Sequence, residues 1–354
     1  MLGARVTGPS TPPAVPDPMR GPDIESARRN RAAERVRALV GPCRAREPTA
    51  TVRANGDGCC ATEGTVRYGV NLPPFGDLAD PRALAALARE AEESGWDGFF
   101  IWDHVVYDPS FHPIADPWVG LAAVALATKR VRLGTLVTPL ARRRPWQVAR
   151  EAATLDRLSG GRLVLGVGLG DPVPWDFGFF GEEEDARARA RRLDEGLAIL
   201  AGLWSGEPFS HEGEHYHLRE VTFLPTPVQR PRVPIWVGGW WPNKPPMRRA
   251  ARWDGVAPGK WGEPLAPGEL RNLTAYVAAH RADGSPFDVV VTGETPGGDR
   301  GGGTEVVARY AAAGATWWIE DVGPWRFGLG AEDPWSPEAT ASIRERIRQG
   351  PPGG

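Results

Sequence analysis

The sequence predicts a (β/α)8 TIM barrel of the α/β class, with insertions, over residues 66–350, preceded by an Arg/Pro-rich tail over residues 1–65. Three observations carry that prediction. Apolar runs and helical patterns alternate eight times between Val66 and Arg348, as βα repeats on a parallel sheet do. Runs such as Gly98–Trp102, GFFIW, are continuously apolar, the signature of strands covered on both faces. The first strand, Arg67–Leu72, runs into Pro73-Pro74 rather than a glycine-rich dinucleotide fingerprint, which favours a closed barrel over an open doubly wound sheet.

Each element has its own signal. Pro81 opens a helix whose Leu84, Leu87, Ala88 and Ala91 form one apolar face, and Ser94-Gly95 ends it. Asp116-Pro117 caps and starts a second helix, through about Ala127. The third strand begins at Val131 and runs to Thr138-Pro139, and Pro145 opens the helix of Val148, Ala152 and Leu155. Arg162–Gly168 is the fourth strand, followed by an irregular Pro-, Trp- and Phe-rich segment over Asp171–Asp185. A helix carrying Leu193, Leu197, Leu200 and Trp204 leads to an inserted hairpin over Gly206–Pro227. Strands five to eight fall at Pro234–Gly239, Gly255–Ala257, Phe287–Val291 and Ala315–Ile319. Their helices fall near Pro246–Trp253, Leu265–Arg281, Glu305–Ala313 and Pro337–Arg348.

Composition bounds the function. The net charge is −2, so there is no electrostatic footprint for nucleic acid or a membrane surface. No apolar run reaches the roughly 20 residues a spanning helix needs, and no signal-peptide core opens the chain; a cytoplasmic location is expected. The three cysteines, Cys43, Cys59 and Cys60, all precede residue 66, which removes a disulfide framework and a cysteine nucleophile from the barrel. The first 65 residues hold no Phe, Trp or Tyr, while all 15 tryptophans come later. Such a segment buries too little to offset its ordering entropy. It reads as a disordered tail with one short helical stretch, Ile24–Val40, as a partner-binding arm, or as residues upstream of the true start.

Absences narrow the chemistry. There is no G-x-S-x-G elbow and no Walker A loop. Gly166, Gly168 and Gly170 form a G-x-G-x-G, but Asp171-Pro172 follows where a phosphate-binding helix would begin. His104 stands out because it lies just past a strand's carboxyl end, where barrel enzymes place catalytic groups. A neutral imidazole there is a general base near neutral pH; the alternative is a histidine satisfying a buried loop carbonyl. Asp103 is placed to hold that imidazole or to contact a ligand. Asp171 would project into the same mouth, as a general acid if burial raises its pKa or as a turn former before proline. His211, His215 and His217, in HEGEHYH, suggest a metal cluster. Only two of them would share a strand face, and strand one lacks the histidine pair of barrel metal hydrolases, so a solvated hairpin is the better reading. Arg142, Arg143 and Arg144 are either a solvated face or a phosphate site, and Gly238-Gly239 allow close backbone approach by a ligand.

These residues together resemble a family. Gly134-Thr135-Leu136-Val137-Thr138-Pro139 with Arg143-Arg144-Pro145, and Ala153–Arg162 (ATLDRLSGGR) with Gly166-Val167-Gly168, are similar to signatures of the bacterial luciferase-like flavin-dependent oxidoreductases. Trp102-Asp103-His104, Pro234–Gly239 and Arg252-Trp253-Asp254-Gly255 follow in that family's order. The resemblance covers about Val66–Arg348.

It implies a flavin in the barrel mouth, either FMN or the 8-hydroxy-5-deazaflavin coenzyme F420. A cis peptide bulging against the cofactor ring would fall at Thr135-Leu136, with Asp103, Val137 and Thr138 beside it. Gly168 and Gly170 would form the cofactor wall, and Val237, Gly238 and Gly239 would lie by its phosphate. His104 matches the base of the family's deazaflavin-dependent dehydrogenases, and Asp171 falls where the sugar-phosphate enzymes carry a glutamate acid. No match to the basic residues of their sugar-phosphate pocket is present. Trp102, Trp175, Trp240 and Trp241 would give an aromatic mouth suited to a non-sugar substrate. The implied activities are hydride transfer between the deazaflavin, or FMN, and a small organic substrate, or oxygenation by reduced FMN; a non-catalytic flavin binder is the alternative of another class. The expected partners are a small-molecule substrate, a flavin reductase in the FMN case, and a second copy in a homodimer.

Overall fold

The computed structural model describes residues 66–108, 113–282, 284–328 and 335–353; the tail, with its expected helix and its cysteines, lies outside the described residues. The strands are β1 Arg67–Leu72, β2 Gly98–Ile101, β3 Arg132–Pro139, β4 Leu163–Gly168, β5 Pro208–Glu212, β6 His217–Thr222, β7 Ile235–Trp240, β8 Gly255–Gly259, β9 Asp288–Gly293 and β10 Trp317–Asp321. The α-helices are α1 Pro81–Glu93, α2 Pro117–Ala127, α3 Pro145–Ser159, α4 Val173–Asp176, α5 Ala186–Trp204, α6 Lys244–Ala250, α7 Pro267–Ala278, α8 Arg300–Ala311 and α9 Pro337–Arg348. Eight parallel strands close in the order β1-β2-β3-β4-β7-β8-β9-β10, and β5 with β6 form the separate hairpin. The predicted fold class and its inserted hairpin are both present. Among the described residues no helix is long and apolar enough to cross a membrane.

Boundaries moved where caps outweighed propensity. Asp116 accepts from the Trp118 and Val119 amides at 3.0 Å each, as its place before Pro117 predicts. The helix expected from Glu305 starts instead at Arg300 and runs through Gly301–Gly303, because Asp299 accepts from the Gly302 amide at 2.9 Å. That cap satisfies donors which three poor helix formers would otherwise leave exposed. Without any side-chain cap from Asn243, α6 begins at Lys244, ahead of Pro245-Pro246, rather than at Pro246.

The barrel's lower half is a packed core and not a pore. Phe100, Trp236 and Trp317 meet with ring centroids 5.2, 6.0 and 5.3 Å apart, and Val164, Val290 and Ile319 fill the space around them. Buried indole N–H groups need acceptors. Asp288 supplies them, accepting from Trp236 Nε1 at 3.1 Å and from Trp317 Nε1 at 3.2 Å. Burial pushes its carboxyl above the usual range.

The stretch ATLDRLSGGR is structural. Asp156, fully buried, accepts from the Val228 and Gln229 amides at 2.7 and 3.0 Å and so pins the return from the hairpin to the barrel. Gly160 and Gly161 take positive φ to end α3. Arg162 then spends all five guanidinium donors, on the carbonyls of Ala125, Thr128, Val131 and Ser159 and on Thr128 Oγ1. A lysine cannot reproduce that fork. With several buried carbonyls left unpaired at about 1–3 kcal/mol each, Arg162→Lys is expected to lower the thermal midpoint by at least about 4 °C. A scanning-calorimetry shift within error would refute this.

Candidate functional site

The mouth is organised by a swelling in β3. Thr135 still pairs with Leu165, but the register on β4 shifts between Thr135 and Thr138, and the Leu136–Val137 peptide is cis. The cis peptide therefore falls one peptide later than the expected Thr135-Leu136, since the ladder holds through Thr135. Thr135 and Thr138 are buried, with hydroxyls 2.9 Å apart. Leu136 and Val137 stay half-buried, and Leu136 caps the aromatic plug.

Glycines in the facing strands make room for this swelling. A methyl on Gly166 would strike the Thr135 carbonyl oxygen, and one on Gly168 would sit 2.7 Å from Val137 Cγ2. One on Gly238, across on β7, would sit 3.0 Å from Val137 Cγ1. The run that imitates a phosphate loop is thus the negative of a bulge. Gly166→Ala sets side chain against backbone and is expected to cost about 1–3 kcal/mol, read as a lower thermal midpoint.

Other expected wall residues lie elsewhere. The Val237 side chain is fully buried among the helix-facing residues. Pro246 fills the space beside Gly239, and Gly170, at φ +85°, packs on Phe177 and Pro139. Trp241 is buried in the helix-facing core, so it does not line the mouth, whereas Trp240 is exposed and meets Trp261 edge-on at 5.6 Å.

Asp103 does not hold the imidazole. It is fully buried; Oδ1 accepts from Arg142 Nη2 at 2.9 Å and Arg143 Nη2 at 2.8 Å, and Oδ2 accepts from Thr138 Oγ1 at 2.9 Å. Strand alternation turns Asp103 outward between β2 and β3, so it ties their ends together instead of reaching a ligand. Arg142 and Arg143 are held by the same contacts and so are not a solvated face, although with Arg144 they line a cleft beside the hairpin.

The partner of His104 is Asp176, at the end of α4, a residue the sequence reading did not single out. His104 Nδ1 lies 3.4 Å from Asp176 Oδ2. Asp176 is fully buried, and its Oδ1 accepts from Arg142 Nη1 at 2.6 Å and from the Val105 amide at 2.7 Å. Burial alone would raise this carboxyl; His104, Arg142 and the Val105 amide outweigh it and hold the pKa below the usual range. The only sequence signal was an aspartate in an irregular segment five residues beyond Asp171.

Around His104 stands an aromatic wall. Tyr107 and Trp102 lie 5.1 and 5.8 Å from its ring, and Trp325 lies 5.4 Å from Trp102 and 5.7 Å from Tyr107. Burial, then the charges of Asp171, Asp108 and Asp321, push the Tyr107 phenol up. Asp171 is exposed and follows β4, which stands across the barrel from β10 and Asp321. The three histidines of HEGEHYH each sit beside a glutamate: His211 with Glu195 at 3.3 Å, His215 with Glu214 at 3.7 Å, His217 with Glu212 at 2.9 Å. His215 lies in the hairpin turn rather than on a strand, and Glu195 accepts its amide at 3.1 Å. A cleft of about 510 Å³ beside this hairpin is lined by Arg144, Glu182, Arg192 and Tyr216 among others, and does not include His104.

With this geometry in place, a comparison of the sequence with family models matches residues 60–299 to the luciferase-like monooxygenases. The chain belongs to that family. Among its relatives, an F420-dependent glucose-6-phosphate dehydrogenase of Nakamurella multipartita is 39% identical over 186 residues, 50% of this chain and 51% of that protein. The chain spans about half the length of the curated dehydrogenases it matches. An uncharacterized protein of Mycobacterium tuberculosis is 33% identical over 225 residues, 58% of this chain and 74% of that protein. The family barrel also appears in a solved F420-dependent secondary alcohol dehydrogenase bound to an F420–acetone adduct, with TM-score 0.63 at 17% identity, covering 80% of this chain and 98% of that one.

Proposed function

We propose that the chain is an oxidoreductase transferring hydride between coenzyme F420, or FMN, held in the barrel mouth and a small alcohol or its carbonyl product. The observation that carries this is the pairing of His104 Nδ1 with the buried Asp176 carboxylate. A carboxylate on Nδ1 favours the proton there and leaves Nε2 as the basic nitrogen. That arrangement suits removal of an alcohol proton, and the dehydrogenase names of the relatives support the deazaflavin over FMN.

The chain fits a flat tricyclic group. Leu136 and Val137 offer a half-buried apolar backstop, Gly168 and Gly238 leave the neighbouring wall without side chains beyond Val137, and Trp102 and Tyr107 pack together past the end of the adjacent β2. Asn71, 6% exposed, keeps its side-chain oxygen without a partner among the described residues, an acceptor on β1 that this fit leaves unused. When bound, the cofactor supplies a two-electron hydride acceptor at its central ring.

The protein's part is position and protons. The aromatic wall would exclude water and position the substrate carbon against the cofactor ring. His104 Nε2 takes the hydroxyl proton as the carbonyl forms, Asp176 stabilises the resulting imidazolium, and Arg142 keeps Asp176 ionised. In the reverse direction the His104 imidazolium returns that proton to the carbonyl oxygen, and Asp171, exposed at the mouth's rim, is the candidate acid for the proton the cofactor would take up on its own reduction. The partners of this reading are a small-molecule substrate and, for FMN, a flavin reductase.

Absorbance titration of the purified chain with F420 and with FMN, followed by addition of secondary alcohols, tests the reading. Saturable F420 binding and alcohol-dependent loss of its visible absorbance are expected. Binding of neither cofactor, or a bound cofactor that no donor reduces, would overturn it.

A further inference from the structure

On the far side of β2 from the swelling, β1 and β10 carry polar groups that the proton chemistry leaves unused. Residues 67, 69 and 71 of β1 face the barrel interior: Arg67 lies over the Trp317 ring, and Gly69 touches Ile319 and Phe100. Asn71 is therefore the top interior residue of β1, and its register partner on β10 is Asp321. Trp317 and Ile319 of β10 point into the interior plug, so Asp321 is the top interior residue of β10 as Asn71 is of β1. Asp321 Oδ1 accepts from the Gly323 amide at 3.0 Å, while Oδ2 has no hydrogen-bond partner among the described residues.

The nearby cations are already engaged. Arg326 gives its donors to Glu320 Oε1, the Asp321 carbonyl and the Thr295 carbonyl. Arg189, across the mouth by Asp171, donates to the Leu169 and Gly170 carbonyls. Burial, reinforced by Glu294 and Glu320, also raises the Asp321 carboxyl, so an anion placed beside it would meet added repulsion.

We infer that Asn71 and Asp321 grip the substrate through its own hydrogen-bond donors, hydroxyl or ammonium groups, and that the site excludes phosphate esters. This rests on the reading of the mouth as a substrate site. It separates the chain from relatives named for a sugar phosphate: here Asp321 offers acceptors and negative charge, the Asn71 amide is neutral, and a phosphate brings only more acceptors and charge. Donor-bearing faces suit such a wall, since acceptors supply direction while Trp102 and Trp325 cover the apolar side.

The test uses a matched set that differs in charge at one position: glucose, glucosamine and glucose 6-phosphate. Tryptophan emission of the full chain, which reads Trp102 and Trp325, is titrated with each. Glucose or glucosamine is expected to bind at least about tenfold more tightly than glucose 6-phosphate. Asp321→Asn is expected to weaken glucosamine by about tenfold, as loss of a charge-assisted hydrogen bond does. Asn71→Leu, which removes the acceptor at similar volume, gives the second variant should Asp321→Asn fold poorly. Equal or tighter binding of glucose 6-phosphate, or no saturable change with any of the three, overturns the inference. The two readings fail separately. Charge preference without cofactor reduction removes the hydride-transfer reading alone, and cofactor turnover without charge preference removes this one alone.

Discussion

Replacing His104 by alanine is expected to lower alcohol-dependent F420 reduction by about 10²–10⁴-fold, the usual share of a positioned general base, while leaving the cofactor dissociation constant within about threefold. The asymmetry follows from geometry. His104 is reached by Asp176 and by the aromatic wall, whereas the glycines that accommodate the β3 swelling stand on β4 and β7 and meet Val137 and the Thr135 carbonyl, not the imidazole. Single-turnover absorbance gives the rate and equilibrium titration gives the affinity. Unchanged turnover would remove His104 from the chemistry. A parallel collapse of affinity would make it a structural residue of the wall.

Asp176→Ala is expected to act on both stability and rate. It leaves Arg142, already almost wholly buried, with only Asp103 as counter-charge, and breaking a buried ion pair by removing one partner costs about 3–5 kcal/mol. At about 2–4 °C per kcal/mol for a domain of this size, the thermal midpoint should fall by at least about 6 °C. The pH dependence has a definite sign. A carboxyl held below its ordinary value contributes stability that is complete above about pH 4 and is lost as pH falls through the lower native value, so the variant's deficit should shrink in acid. Asp176→Asn separates positioning from packing. It keeps the volume but can present an amide donor to Nδ1, which places the histidine proton on the wrong nitrogen. A fall of about 10²-fold or more in kcat, with KM changed little, is expected; a variant as active as the parent would exclude Asp176 from orienting the base.

The fold was legible because burial on both faces writes itself into β2, β4 and β7 as uninterrupted apolar runs, and because proline opens α1, α2, α3 and α9 at their first position. His104 was legible because a strand end is a sequence feature. Asp176 was not, since it reaches the imidazole through a four-residue helical turn in a segment with no periodicity. Adjacency misled at Asp103: alternation sends neighbouring side chains to opposite faces, so the residue next to the base serves a different layer. Glycine spacing misled for a related reason, because a missing side chain records what comes close without saying whether that is a ligand or, as at Gly166, the chain's own backbone.

The five-donor anchor at Arg162 separates ancestry from reaction. Asp156 and Arg162 fasten α3, β4 and the returning hairpin on the face away from the mouth, through contacts wholly within the chain. A lineage could therefore exchange Asn71, Asp321 or His104, and with them its substrate or even its reaction, while ATLDRLSGGR stayed letter-perfect. Kinship is written at the foot of β4 and occupation at the top, so the most recognisable stretch of this chain is the one least informative about what it turns over.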